Sequence, residues 1–237
     1  MFTVDDVNKE IQNYIKYTSY DVPTIQEIIY VDTLDYYGEV SSQEILEGKY
    51  IIRFSNSLND CPIEFQKSVI WHEVTHIIDA INNKELNKST LECVMSTYSE
   101  AHANSIQLRY LLHITPKQIV NQGKRYLIYS KGREDLSIVT SNYINQSLHH
   151  LTSFRENKIP RDFKQFISQF SYFCGYMFLK KRTIADELSD GVISKFPNEY
   201  QSDLKNLYTH ILNLNFVGCA SVYTKLKAEA MIYSLPF

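Results

Sequence analysis

Several things are scarce in this chain, and each scarcity removes a class of function. No apolar run approaches the roughly 18 residues of a membrane-spanning helix, so no membrane partner is expected. The start, Met1-Phe2-Thr3-Val4-Asp5-Asp6, lacks a basic segment followed by an apolar core, and the expected location is cytoplasmic. Positive charge is not in excess: 24 Lys and Arg stand against 27 Asp and Glu, a formal charge of -3, so no nucleic-acid surface is expected. The clusters Lys180-Lys181-Arg182 and Lys124-Arg125 are short enough to be solvated helix ends. The four cysteines, Cys61, Cys93, Cys174 and Cys219, form no C-x-x-C pair, which excludes a thiolate zinc knuckle and a dense disulfide framework. Internal repeats and low-complexity stretches are absent. A composition of 44% hydrophobic and 22% charged residues, with 18 Tyr and 12 Phe, is that of a folded, soluble globular protein rather than a disordered one.

What is present is organised around Trp71-His72-Glu73-Val74-Thr75-His76, an H-E-x-x-H sequence. Residues four apart share a helix face, so His72 and His76 would present two imidazoles one turn apart. A tetrahedral zinc ion takes ligands converging from one side and keeps a position for water, and such a pair supplies two of them. Glu73 cannot easily share that position, but its carboxylate can reach the water and take its proton. Such a pattern arises by chance in roughly one protein in a hundred, so context decides. Here Ile63, Phe65, Val69, Ile70, Val74, Ile77 and Ile78 recur on a helical period across Pro62–Ala80, with Pro62 tolerated at the start.

Upstream, residues 4–18 read as a helix capped by Thr3. Three β-rich stretches follow: Ile25 to Val31, Leu34 to Val40 around Gly38, and Lys49–Phe54. Three short strands need a helix across one face, which the H-E-x-x-H segment can supply. Lys49–Phe54 is read as either an edge strand open to substrate backbone or an interior strand.

Downstream, Asp79 shares the side of His76 and is a candidate acceptor for the other ring nitrogen of a ligating histidine, the alternative being a solvated helix-end carboxylate. Ser89-Thr90-Leu91-Glu92 has the form of a capping box opening a helix over Thr90–Leu112. Within it, Glu100 stands among small and apolar residues, where a carboxylate is costly to desolvate unless it is paired or metal-bound. It is the candidate third ligand, with His102 and Glu92 as alternatives. His102 also reads as a surface residue or a donor to a ligand, and Asn104, four residues after Glu100, as a partner for its carboxylate or for nearby backbone.

From about Ile114 the chain reads as helices over Pro116–Ser130, Asp135–Asn157, Arg161–Lys180, Leu204–Asn213 and Val217–Ser234, with breaks at Gly123, Gly132, Gly175 and Gly191. Phe163, Phe166, Phe170 and Phe173 are spaced for helix packing rather than for a cofactor. Tyr143, His149 and His150 are candidate donors to the negative charge that develops on a carbonyl under attack.

These residues imply an α+β fold: a minimal zincin-like core over 1–113, then a mainly helical region over 114–237 that completes or caps the cleft or is continuous with the core. Together, the strand Tyr50-Ile51-Ile52-Arg53-Phe54, the helix Phe65 to Ile78 and Tyr98-Ser99-Glu100-Ala101-His102-Ala103-Asn104 resemble the ImmA/IrrE-type metallopeptidases, zincins with a glutamate ligand, over roughly residues 25–112. The resemblance implies Zn2+ held by His72, His76 and Glu100, water activated by Glu73, and cleavage of a specific protein or peptide, in some members a partner repressor. The long helical remainder departs from the family's short form, and no helix-turn-helix is evident. Two other expectations stand beside this one: a zinc-stabilised interaction protein of a phage or mobile element that cleaves nothing, and a metal-free helical binding protein. The oligomeric state is unknown from the sequence.

Overall fold

The computed structural model describes residues 1–120 and 125–232, with side chains to Met231. Helix α1 spans Val4–Thr18. Thr3 caps it reciprocally: its hydroxyl accepts from the Asp6 amide at 3.2 Å while the Asp6 carboxylate accepts from the Thr3 amide at 3.0 Å. Strand β1 (Glu27–Val31), the two-residue strand β2 (Gly38–Glu39), the short helix α2 (Ser42–Leu46) and strand β3 (Ile51–Ser55) follow. The sheet order is β1-β3-β2, with β1 parallel to β3 and β2 antiparallel to it, pairing Gly38 with Phe54 and Glu39 with Arg53. The segment read as either edge or interior is therefore the central strand, and the fully buried Ile52 and Phe54 give the reason: both sides of β3 are paired.

Helix α3, Ile63–Asn82, is buried almost all round from Phe65 to Ala80, as expected of a helix enclosed on every side. Its sole-in-the-chain indole, Trp71, donates to Glu10 Oε1 at 3.0 Å and is ringed by Tyr14, Tyr17 and Tyr110 at centroid distances of 5.4, 5.0 and 4.6 Å. Burial pushes the phenols of Tyr17 and Tyr110 up to about 12, and raises Tyr14 further, with the nearby Asp79 charge adding to the effect. These phenols favour the folded state fully below about pH 10, where the unfolded chain also holds them neutral, and that contribution is lost as the pH rises toward about 12. The denaturant midpoint, read by Trp71 fluorescence, should thus hold from about pH 8 to about pH 10 and fall beyond it. Replacing Tyr110 by Phe should blunt the fall, and an unchanged alkaline profile in that variant would remove Tyr110 from the account.

Helix α4 covers Lys88–Val94, a single π turn covers Met95–Ser99, and helix α5 covers Glu100–Leu111. The cap of α4 is Asn87, whose side chain accepts from the Thr90 amide at 2.9 Å, rather than Ser89. An asparagine in extended backbone two residues earlier supplies the same acceptor, and this leaves Ser89 inside the helix and Glu92 exposed.

Part of the segment expected as a helix over Pro116–Ser130 is instead the first strand of a hairpin: β4, Tyr126–Tyr129, pairs antiparallel with β5, Gly132–Asp135. The turn at Ser130-Lys131 leads into Gly132 at φ 112°, a conformation glycine adopts without strain. The expected break at Gly123 lies outside the described residues, as do Lys124 and positions 233–234 of the last expected helix.

The remaining helices are α6 (Leu136–Asn157), α7 (Pro160–Met177), α8 (Arg182–Ile193), α9 (Asn198–Leu212) and α10 (Phe216–Ile232). Two expected breaks are not breaks. Gly191 sits within α8, and Gly175 sits within α7, where an added Cβ would stand 2.4 Å from the Ala101 carbonyl oxygen. Gly175 marks a close helix approach, not a helix end.

The architecture is α+β: a small sheet packed on α3 and α5, followed by a mainly helical half. Two compact units divide the chain. Among the described residues, one comprises 1–86, 106–118 and 125–136 and holds the three-stranded sheet, α3 and the hairpin; the other comprises 87–105, 119–120 and 137–232 and is built on helices around Phe163, Phe166, Phe170 and Phe173. Helix α5 runs through both. No described helix is long and apolar enough to cross a membrane.

Candidate metal centre

His72 and His76 occupy successive turns of α3, each 7% exposed. Their rings meet edge to face at 4.7 Å, and their Nε2 atoms are 3.0 Å apart. Two imidazole nitrogens thus aim at one point, as the i,i+4 spacing requires.

Glu100 opens α5 immediately after the π turn. A π turn holds one residue more than an α turn, so the faces of α4 do not continue into α5, and such turns concentrate at functional sites. Glu100 is instead in register with Ala103, Asn104 and Gln107, one and two turns along α5. Gln107 anchors this register: its Oε1 lies 3.2 Å from His72 Nδ1, and its Nε2 donates to Ser68 Oγ at 3.1 Å. The buried Ser168 hydroxyl donates to Glu100 Oε1 at 3.4 Å.

One ring nitrogen each from His72 and His76 and one carboxylate oxygen of Glu100 lie within 4.8 Å of one another. Among the described residues this is the group of three able to hold a metal ion. Two imidazoles and one carboxylate form the donor set zinc takes where a coordination position stays open for water or substrate; thiolates, which close structural sites, are absent from it.

Glu73, 4% exposed, follows His72 by one residue and lies under β2. A Cβ on Gly38 would sit 2.6 Å from Glu73 Oε1 and 2.8 Å from its Cγ, so only a residue without a side chain lets the strand pass so close.

The other sequence candidates are placed as follows. Asp79 is buried on α3; burial raises the phenols of Tyr14 and Tyr20, and the Asp79 charge adds to both. Asn104 donates to the Tyr172 carbonyl at 2.7 Å and accepts from the Tyr143 hydroxyl at 3.2 Å, so it ties α5 to α6 and α7. His102 stacks on Tyr98, one turn back, and is not in the metal-ligating group; neither is Glu92. His149 is exposed, and His150 lies 3.5 Å from Asp162, whose carboxylate also accepts from Ser153. Burial and the neighbouring His149 hold the His150 pKa below the usual histidine value, outweighing Asp162.

Three residues were not anticipated: Gln107, Ser168 and Gly38. Only Gln107 left a sequence signal, being seven residues after Glu100 on the same helix face. A buried cluster suited to a metal ion is therefore present in an α+β chain, and it carries a carboxylate beside it that is not part of the ligand group. No family model, curated protein or solved structure matches the chain.

Proposed function

We propose that the protein is a zinc metallopeptidase of the glutamate-ligand type, with His72, His76 and Glu100 holding the ion and Glu73 serving as the general base. The observation that carries this reading is the convergence of the three ligand atoms within 4.8 Å; the buried Glu73 carboxylate, outside that group of three, lies under Gly38. Zinc in such a site supplies Lewis acidity that makes water a competent nucleophile near neutral pH. Glu73 takes the proton of the attacking water and hands it to the amide nitrogen as the C–N bond breaks, so one carboxylate serves as base and then as acid. His72 and His76 are neutral ligands, and Glu100 contributes the single negative charge of the set.

The resemblance of residues 25–112 to the ImmA/IrrE-type peptidases supports a narrow protein substrate, and a regulatory or repressor protein in the same cytoplasm is the proposed target. The test is elemental analysis joined to proteolysis. Wild-type protein should carry about one zinc per chain, cleave a denatured-protein or peptide-library substrate, lose that cleavage on chelation and regain it with zinc. His72→Ala should lose the metal. Stoichiometric zinc with no turnover on any library would assign the site to an interaction protein instead, and purification without zinc would remove the metal reading altogether.

A further inference from the structure

We infer that Gln107 is a positioning residue for the metal centre: held by Ser68, its amide fixes the tautomer and ring orientation of His72. The inference rests on the peptidase reading only in taking His72 as a ligand, and its geometric basis lies wholly in the contact of α3 with the last two turns of α5.

Ser68, fully buried, has a single hydroxyl proton, and it donates that proton to the Phe65 carbonyl at 2.7 Å. Its oxygen therefore faces Gln107 as an acceptor, and the Gln107 nitrogen must be the end that meets it at 3.1 Å. With the nitrogen so placed, the Gln107 oxygen is the end that lies 3.2 Å from His72 Nδ1. A carbonyl oxygen can only accept, so His72 carries its proton on Nδ1 and presents the lone pair of Nε2. That Nε2 is the atom 3.0 Å from His76 Nε2, on the side of the ligand group.

The reversed amide would be doubly wrong. Its oxygen would meet the Ser68 oxygen with no proton between them, and its NH2 would drive the proton of His72 to Nε2, where no metal could bind. Gln107 is 7% exposed, so water does not readily replace the missing partner. A neutral amide does here what a carboxylate commonly does for a metal-bound histidine: it orients the ring without adding charge.

The experiment measures zinc affinity by competition with a chromophoric chelator, together with imidazole 1H–15N correlation spectra of the zinc-loaded wild type. Gln107→Leu should weaken zinc binding by about 10- to 100-fold. Gln107→Glu keeps an acceptor for His72 Nδ1 but sets its second oxygen against the Ser68 oxygen, so it should bind zinc more tightly than Gln107→Leu without reaching wild type. Ser68→Ala should weaken binding in the same direction but less, since it frees the amide without removing it. The spectra should show His72 protonated at Nδ1 and metallated at Nε2. His72 metallated through Nδ1, or wild-type zinc affinity in Gln107→Leu, overturns the inference; the spectra need no variant, so a poorly folded substitution cannot decide the matter. If wild-type protein binds no zinc, the peptidase reading falls first and this inference with it. If it binds zinc and Gln107→Leu binds equally well, only this inference falls.

Discussion

Replacing Glu73 by Gln should lower kcat/KM by about 10²- to 10⁴-fold while leaving one zinc bound per chain. The two halves of that result have separate causes. The side chain stays the same size, so the space under Gly38, where a Cβ would already be 2.6 Å from Oε1, is filled as before. The ligand group His72, His76 and Glu100 is untouched, and zinc content should follow it. What disappears is an atom that can accept a proton from water. An amide has no useful basicity at neutral pH, so the loss should fall on kcat, with KM changing little for a residue whose proposed role is proton transfer alone. Full activity in Glu73→Gln would mean that another group is the base. Loss of zinc together with activity would place Glu73 among the ligands, contrary to its exclusion from the three-atom group.

How far the site could be read from the amino-acid order depends on what each residue responds to. His72, Glu73 and His76 are legible because helix periodicity alone sets their geometry, and the apolar run from Phe65 to Ile78 makes the helix certain before any contact is known. Glu100 is legible for an energetic reason: a carboxylate among Ala101, Ala103 and Ser99 needs a partner. The π turn of Met95–Ser99 is not legible, since its residues suit an ordinary helix and only packing selects the extra residue. Gln107 escapes because a glutamine in a helix resembles a surface residue until its face is known to be buried.

The fold shows the same division. Helices α1 and α7, each with an apolar stripe, and α3, with its long apolar run, are foreseen, with ends differing by at most a few residues. The hairpin β4-β5 and helix α8 are not. Tyr126–Tyr129 is too short for period to discriminate strand from helix, and Gly191 in α8 mimics a terminator although it faces open space. Gly175 misleads in the same sense for another reason, because a glycine demanded by a neighbouring backbone looks the same in sequence as one demanded by a turn. Glycines in this chain therefore carry three different meanings, and Gly38 carries the one closest to the chemistry.

Gly38→Ala should reduce kcat/KM by about 100-fold with zinc content unchanged. The added methyl would lie 2.6 Å from Glu73 Oε1, 2.8 Å from Cγ and 2.9 Å from Cδ, closer than such atoms approach, so one partner must move. Strand β2 is held to β3 through the Gly38–Phe54 and Glu39–Arg53 pairs, and the adjoining Tyr37 carbonyl accepts from the Ser55 amide at 3.0 Å. The Glu73 side chain has three rotatable bonds and yields more readily than paired backbone. Its carboxylate then leaves the place from which, in the proposed mechanism, it reaches the water, and a displacement near 1 Å is enough for a loss of this size. Because a side chain moves and no backbone bond breaks, the destabilisation should stay within the 1–3 kcal/mol typical of an overpacked site. The decisive measurement is the double variant. If Gly38 acts through Glu73, Gly38→Ala is harmful when Glu73 is present and nearly silent when Gln is there, so the two losses fail to add. Additive losses would detach β2 from the carboxylate and leave Gly38 a role in the strand alone.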